Sequence, residues 1–369
     1  MRHMSFVMVA LAALLLVIAG CDREITGDVK LADQSASNCF ECHSDRDFAL
    51  LHAQDQFAVS KHATGETVER NRQYSSRYQS CERCHTHEGF VAVATGTEVQ
   101  ADDFTNFNCF TCHAPHSDGN LTVRLEDAQS IPGGYTYDKG SSNTCAYCHQ
   151  SRDAVEVSVP PGAANITFAN NRWGPHHSIH ADVFLGVNGY EYDGYTYTNS
   201  WHTTGIDEGC VTCHMSDKNT NAMVGGHTFS MVGEFHEEEV ENLAACTKCH
   251  EAFESFNVDF PANSDYDWDG AAEGVQVEVE GLLDSLATLL VGAGVIDAED
   301  HLPVANTTIS ADSAGAVYNY LFIHGDRSEG IHNTNYIVGL LQSSINFIVH
   351  RDPNGGATVA ARPATFSAH

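Results

Sequence analysis

Residues 109 to 113 read Cys109-Phe110-Thr111-Cys112-His113, two thiols three positions apart with an imidazole directly after them. The same pattern stands at Cys39, Cys42 and His43; at Cys81, Cys84 and His85; at Cys145, Cys148 and His149; at Cys210, Cys213 and His214; and at Cys246, Cys249 and His250, six motifs in all. Two thiols on one short turn can form thioethers to the two vinyl groups of a haem while the adjacent imidazole reaches the iron, so this spacing is the attachment signature of c-type haem. Zinc knuckles, disulfide pairs and thioredoxin-like redox pairs also use a Cys-x-x-Cys turn. None of them needs a histidine after every pair, and twelve of the 13 cysteines are consumed by the six motifs. The expectation is six covalently bound haem c groups.

The thirteenth cysteine, Cys21, follows Arg2, His3 and an apolar run over 6–18, in the sequence Ile18-Ala19-Gly20-Cys21. A basic start, a short apolar stretch and small residues make a secretory signal, too short to span a membrane as a mature helix. Ile18 to Cys21 also resembles the lipobox of bacterial lipoproteins, which implies cleavage before Cys21 and lipid attachment to its thiol. The expected location is therefore outside the inner membrane: a cell-envelope lipoprotein at the outer membrane or cell surface, or an extracellular protein. The apolar stretch 282–295 is interrupted by Asp284 and is too short for a span.

The chain carries 49 Asp and Glu against 18 Lys and Arg, a formal charge of −31. That balance argues against nucleic acid as a partner. It favours solubility and repels like-charged copies, so any self-assembly should be salt-sensitive. With about 58 residues per motif once the signal is removed, the chain is too short to give each haem a folded domain of its own, and the haems are expected to share one core.

What a haem does depends on its sixth ligand. Of 22 histidines, six are in motifs; setting aside His3 and His369 leaves 14 for six positions. Six closed irons favour electron transfer, because a bis-histidine iron excludes small substrates. The distal candidates are His62 in Ser60-Lys61-His62, His116 in Cys112-His113-Ala114-Pro115-His116, His176 or His177 in His176-His177-Ser178-Ile179-His180, His202 ahead of the fifth motif, His227 in Gly225-Gly226-His227, and His332 in Gly330-Ile331-His332-Asn333.

Helical periodicity is clearest over 45–60, 237–256, 275–290, 311–321 and 336–349, and strand alternation is weak. Gly, Asn, Asp and Pro clusters such as Ile131-Pro132-Gly133-Gly134 and Pro160-Pro161-Gly162 mark long irregular connections. The expected fold is a multihaem cytochrome of helix and irregular coil with at most short hairpins, its core built around packed haems. The expected organisation is a lipoprotein-type signal at 1–20, a linker at 21–37, a haem-binding region at 38–256 and a cysteine-free helical region at 257–369 that covers haems and delivers His332. A second signal, Asp265-Tyr266-Asp267-Trp268-Asp269-Gly270, matches the first half of a calcium loop. Gln276 stands where the loop's bidentate acid belongs, so a looser Ca2+ site using Asp265, Asp267, Asp269 and Glu273 is weighed against an acidic turn that caps the next helix.

Several segments carry a family resemblance. They are Cys81 to Phe90, Cys109 to Arg124 with its Cys-His-Ala-Pro-His core, Trp173-Gly174-Pro175-His176-His177, Cys210 to Met215 with Gly226-His227-Thr228-Phe229, and Gly330-Ile331-His332-Asn333. In these the chain resembles the extracellular multihaem c-type cytochromes of metal-reducing bacteria, including relatives that stack into cytochrome nanowires. The resemblance implies bis-histidine haems packed edge to edge or in T-shaped pairs, with the distal roles above. It also implies electron transfer to a partner cytochrome or an extracellular acceptor such as a mineral, and self-assembly in which His52 would reach an iron of the next subunit. It leaves His176 and His177 undecided, and His180 is unexpected at its position. The rival is a multihaem nitrite, hydroxylamine or sulfur-oxyanion reductase with one open iron. No motif ends in Lys, and the surplus of histidines gives no reason to leave an iron open.

Overall fold

The computed structural model describes residues 48–65, 81–99, 104–216, 222–250, 255–256, 262 and 264–355, all within one compact unit, Phe48–His369. The first motif, with Cys39, Cys42 and His43, lies outside the described residues, as do the signal and Cys21. Five helices of nine residues or more stand out among them: α1 (Phe48–Val59), α2 (His87–Thr95), α3 (Val275–Gly292), α4 (Ala311–Asp326) and α5 (Thr334–His350). Strands are short: β1 (Gln129–Ile131), β2 (Tyr135–Tyr137), β3 (Asn165–Thr167), β4 (Val232–Phe235), β5 (Glu238–Glu241) and β6 (Thr308–Ser310), paired antiparallel as β1–β2, β3–β6 and β4–β5.

The helical periodicities over 275–290, 311–321 and 336–349 correspond to α3, α4 and α5. On α3, Val279, Leu282, Leu286 and Leu290 are buried at three- and four-residue intervals, the stripe of an amphipathic helix. Helix α4 starts at Ser310, whose hydroxyl accepts from the Ser313 N–H and so satisfies one orphan donor of the first turn. Helix α5 is buried on nearly every side from Tyr336 to Asn346. Three of its polar residues bond packing partners: Ser343 bonds Tyr197 (2.9 Å), Ser344 accepts from Asn319 (3.0 Å), and Gln342 Nε2 donates to the Tyr266 carbonyl (2.7 Å).

Two differences from the sequence reading have physical causes. Over the described residues 237–250 the expected helix does not form. The stretch begins in the β4–β5 hairpin, continues as a 3-10 turn at Leu243–Ala245, and carries Cys246 and Cys249 on a tight turn in which the Cys249 N–H donates to the Cys246 carbonyl at 3.0 Å. His236 and Glu237 both have positive φ (55° and 65°), as a two-residue hairpin turn demands. The run Glu237-Glu238-Glu239-Val240-Glu241 would also set like charges four apart on a helix. Second, β3 pairs with β6 across the chain, a contact between distant segments that no local pattern announces.

Packing crosses residues 256 and 257. The large apolar core joins α3, α4 and α5 to Val159, Ile166, Phe168, Ile179 and Val183, which lie between the fourth and fifth motifs. Along the described segments that carry motifs two to four, buried apolar residues are sparse: Phe90, Ala92, Phe104, Ala114, Ile131, Tyr137 and Ala146. The motif-bearing half therefore shares its apolar core with the helical half.

Candidate functional site

Each described motif is a single tight turn, as at Glu82–His85, Cys109–Cys112 and Cys210–His214. None of the ten described motif cysteines is joined in a disulfide. Most are half-buried; Cys109 and Cys249 are exposed, and Cys249 ends the described part of the sixth motif together with His250. The motifs also abut one another. The sulfurs of Cys84 and Cys148 lie close together, as do those of Cys145 and Cys210, so the fourth motif adjoins both the second and the fifth. The sixth adjoins the fifth, where Cys246 and Cys249 lie near Cys213. Tyr137, fully buried, places its hydroxyl 3.2 Å from the Cys210 sulfur.

The imidazoles pair. His85 faces His176 with ring centres 6.2 Å apart, His113 faces His227 at 6.2 Å, His149 faces His62 at 6.0 Å, His214 faces His332 at 6.2 Å, and His250 faces His202 at 6.3 Å. Every pair joins one motif histidine to one non-motif histidine. A metal that takes an imidazole nitrogen on each side at about 2.0 Å holds the two ring centres roughly 6 Å apart. The residues therefore fit a haem iron between the rings of each of these five pairs. The sixth proximal ring, His43, lies outside the described residues with Cys39 and Cys42.

Ring orientation supports the same assignment. Nδ1 of His113 donates to the Thr122 carbonyl (3.2 Å), His176 to the His177 carbonyl (2.8 Å), His202 to the Ile331 carbonyl (2.8 Å) and His214 to the Phe229 carbonyl (2.8 Å). Nδ1 of His332 donates instead to the Asp326 carboxylate (2.8 Å). Such bonds fix the tautomer and leave Nε2 as the lone-pair nitrogen for a metal. His149 has no such anchor; its Nδ1 is buried without a hydrogen bond, and its ring stacks on His180 at 5.0 Å.

Burial also keeps most of these rings neutral, the form that binds metal. It pushes His176 and His214 down to about 4, and lowers His62, His85 and His250 as well. His149 is driven well below the usual histidine range by burial and then by the rings of His180, His62, His214 and His332 around it. His332 is the exception. Burial lowers it, but the Asp326 carboxylate more than reverses that and raises it.

Several segments deliver the distal rings. His62 sits on the turn Lys61–Thr64 after α1, capped by Ser60. His227 sits on a 3-10 turn beside Gln56 of α1, whose Oε1 accepts the His227 N–H at 3.0 Å. Gly226 has φ 51°, and a Cβ there would lie 2.1 Å from Gln56 Oε1, so glycine is required for this approach. His332 lies on the α4–α5 connection. There Gly330 (φ 101°) packs on Val279 and Val275 of α3, and Asn333 accepts from the Ser200 N–H and donates to the Val183 carbonyl.

Of the pair left open by the sequence, His176 is the ring that faces His85; His177 is exposed, 6.0 Å from His176. His116 lies exposed on the turn Pro115–Asp118 against Phe110 (5.6 Å) and faces none of the described motif histidines at the spacing of the five pairs. His52, the residue that the resemblance would send to an iron of the next subunit, has its Nε2 buried with no hydrogen-bond partner among the described residues. Sequence reasoning missed Asp326, whose carboxylate gathers His180 and His332; the signal available was only an acid at the end of a helical stretch.

The acidic loop draws together the carboxylates of Asp265, Asp267 and Asp269, but not Glu273. Each of the three accepts a hydrogen bond from the loop's own backbone, at Gly270, Asp269 and Ala271 respectively. Buried Glu278 of α3 closes the loop by accepting from the N–H groups of Tyr266, Asp267 and Glu273. Asp265 Oδ1 is buried with no hydrogen-bond partner among the described residues.

No protein-family model matches the chain. The C-type polyheme cytochrome OmcB of Geobacter sulfurreducens, found in two strains, is 28% identical over 152 residues, covering 35% of this chain and 19% of the relative. The chain thus spans about a fifth of the length of the curated relatives it matches. Among solved structures, the undecaheme cytochrome from the S-layer of Carboxydothermus ferrireducens aligns with a TM-score of 0.42 and 18% identity, over 79% of this chain and 41% of that one. In its motifs, and over the part matched to the Geobacter protein, this chain is similar to the multihaem c-type cytochromes.

Proposed function

We propose that this protein carries electrons outside the cytoplasm through six c-type haems, each closed by two histidines. The observation that carries the reading is the set of five ring pairs at 6.0–6.3 Å, each a motif histidine and a non-motif histidine. The proposed distal set is His176 for the second motif, His227 for the third, His62 for the fourth, His332 for the fifth and His202 for the sixth, with His116 given to the first, opposite His43. Haem bound there supplies one-electron chemistry at iron. The chain's own residues do the rest: paired imidazoles close both faces against small substrates, Nδ1 bonds fix the rings, and contacts between motif turns keep neighbouring sites adjacent. The fourth motif, touching the second through Cys148 and the fifth through Cys145, is the junction of this array.

The test is low-temperature electron paramagnetic resonance of the oxidised protein with haem quantification. Six low-spin irons per chain are expected. One high-spin iron would replace this reading by a reductase with an open site.

The acceptor in this reading is another cytochrome or an extracellular oxidant, reached from a lipid-anchored position. Among the described residues no helix is long and apolar enough to cross a membrane, and attachment is assigned to lipid on Cys21. Cys21→Ala protein is expected to leave the membrane fraction, and retention there would remove the anchor. Filament formation would have to overcome the formal charge of −31 on each copy.

A further inference from the structure

Asp326, the last residue of α4, has a side chain 1% exposed, and one oxygen, Oδ1, accepts from two imidazoles: His332 Nδ1 at 2.8 Å and His180 Nδ1 at 3.2 Å. Its other oxygen accepts from the Ser328 hydroxyl. Among the described residues these two imidazoles are its only ion-pair partners, so no lysine or arginine neutralises it. A buried carboxylate with this donor set stays ionised because the hydrogen bonds stabilise its charged form.

The contrast with the other anchored rings is chemical. His113, His176, His202 and His214 give Nδ1–H to backbone carbonyls, which are neutral; His332 gives it to a carboxylate. A carboxylate acceptor pulls the proton more strongly, makes the imidazole a better electron donor through Nε2, and sets a fixed negative charge one ring away from whatever Nε2 binds. Both effects favour the more positive oxidation state of a bound iron, and hydrogen bonding and charge are among the levers by which a protein tunes haem potential.

We propose that Asp326 is a positioning residue that makes the haem of Cys210, Cys213 and His214 the hardest to reduce among the five with described ligands, through its bond to His332. This rests on the assignment of His332 as that haem's distal ligand. His180 shares the same carboxylate and so moderates the effect, which gives its removal the opposite sign. Electrons moving through the array would then meet a step up in energy between the fourth and sixth motifs.

The experiment is spectroelectrochemical titration of the haem-loaded protein, with paramagnetic resonance of the oxidised form, for Asp326→Asn, His180→Phe and His332→Ala. Asp326→Asn keeps the side-chain shape and removes the charge. It is expected to shift one haem upward by at least tenfold in its reduction equilibrium, about 59 mV for a one-electron couple, with the others unmoved. His180→Phe keeps a ring to stack on His149, leaves Asp326 to His332 alone, and is expected to shift the same haem downward; it decides the matter if Asp326→Asn does not fold. His332→Ala identifies that haem, because the component that shifts in the other variants is the one whose iron opens. An open iron in His332→Ala with no shift in either other variant overturns the role of Asp326. No open iron either in His332→Ala or in His332→Ala/His180→Ala, which denies the site the neighbouring ring 5.5 Å away, overturns the ligand assignment itself.

Discussion

Replacing His202 or His227 by alanine is expected to turn one low-spin iron per molecule into one that binds carbon monoxide when reduced, while the unaltered protein binds none. The reason is geometric. Each of these rings faces its motif partner at 6.2–6.3 Å, and the ring beside His227 is Phe229, which cannot ligate iron. With the imidazole gone, the face it closed is open to a small ligand. The same substitution at His176 or His332 should be less clean, because His177 lies 6.0 Å from His176 and His180 lies 5.5 Å from His332. There the double variants His176→Ala/His177→Ala and His332→Ala/His180→Ala should bind the full equivalent. Carbon monoxide difference spectra on haem-quantified protein measure the stoichiometry directly. Binding by the unaltered protein, or no gain in the His202 and His227 variants, would dismantle the bis-histidine reading.

The attachment chemistry was legible in the sequence because it is local: two thiols, a fixed spacing and an imidazole occupy one turn, and no tertiary information is needed. The long helices α3, α4 and α5 were legible for a similar reason, since Val279, Leu282, Leu286 and Leu290 repeat at the helical period. What could not be read was which distal histidine meets which motif. His62 and His149 are brought together only by folding, and so are His202 and His250. His176 and His177 differ by one position in sequence, yet one ring is turned to His85 and the other to solvent. Only the second strand of the hairpin, Glu238–Glu241, falls in the stretch whose composition reads as helix, because its acidic residues suit a helix surface, while the deciding feature is two positive φ angles. Asp326 escaped notice because a buried acid is recognisable only by its partners, and these come from both ends of a 146-residue separation and from its own helix end.

Leu286→Ala is expected to destabilise the helical half by about 2–5 kcal/mol, the usual result of cutting a fully buried leucine back to a methyl. Leu286 is 0% exposed on α3 and belongs to the core that joins α3 to α4 and α5. Domain stabilities are of order 5–15 kcal/mol, so this one change removes a large share of the margin. The consequence reaches the ligands through the α4–α5 connection. Gly330 rests on Val275 and Val279 of α3, two turns before Leu286, and the next two residues are Ile331, whose carbonyl anchors His202, and His332. Loosening α3 should therefore release two distal rings together, those facing His214 and His250, while His62, which follows α1, and His227, held by Gln56 of α1, stay in place. On heating, the variant should lose low-spin character at two irons in a first step, well below the temperature at which far-ultraviolet circular dichroism shows the rest unfolding. A single transition at which all irons change together would mean that the haem-bearing half has no stability of its own, and that the apolar core of α3, α4 and α5 holds every ligand in place.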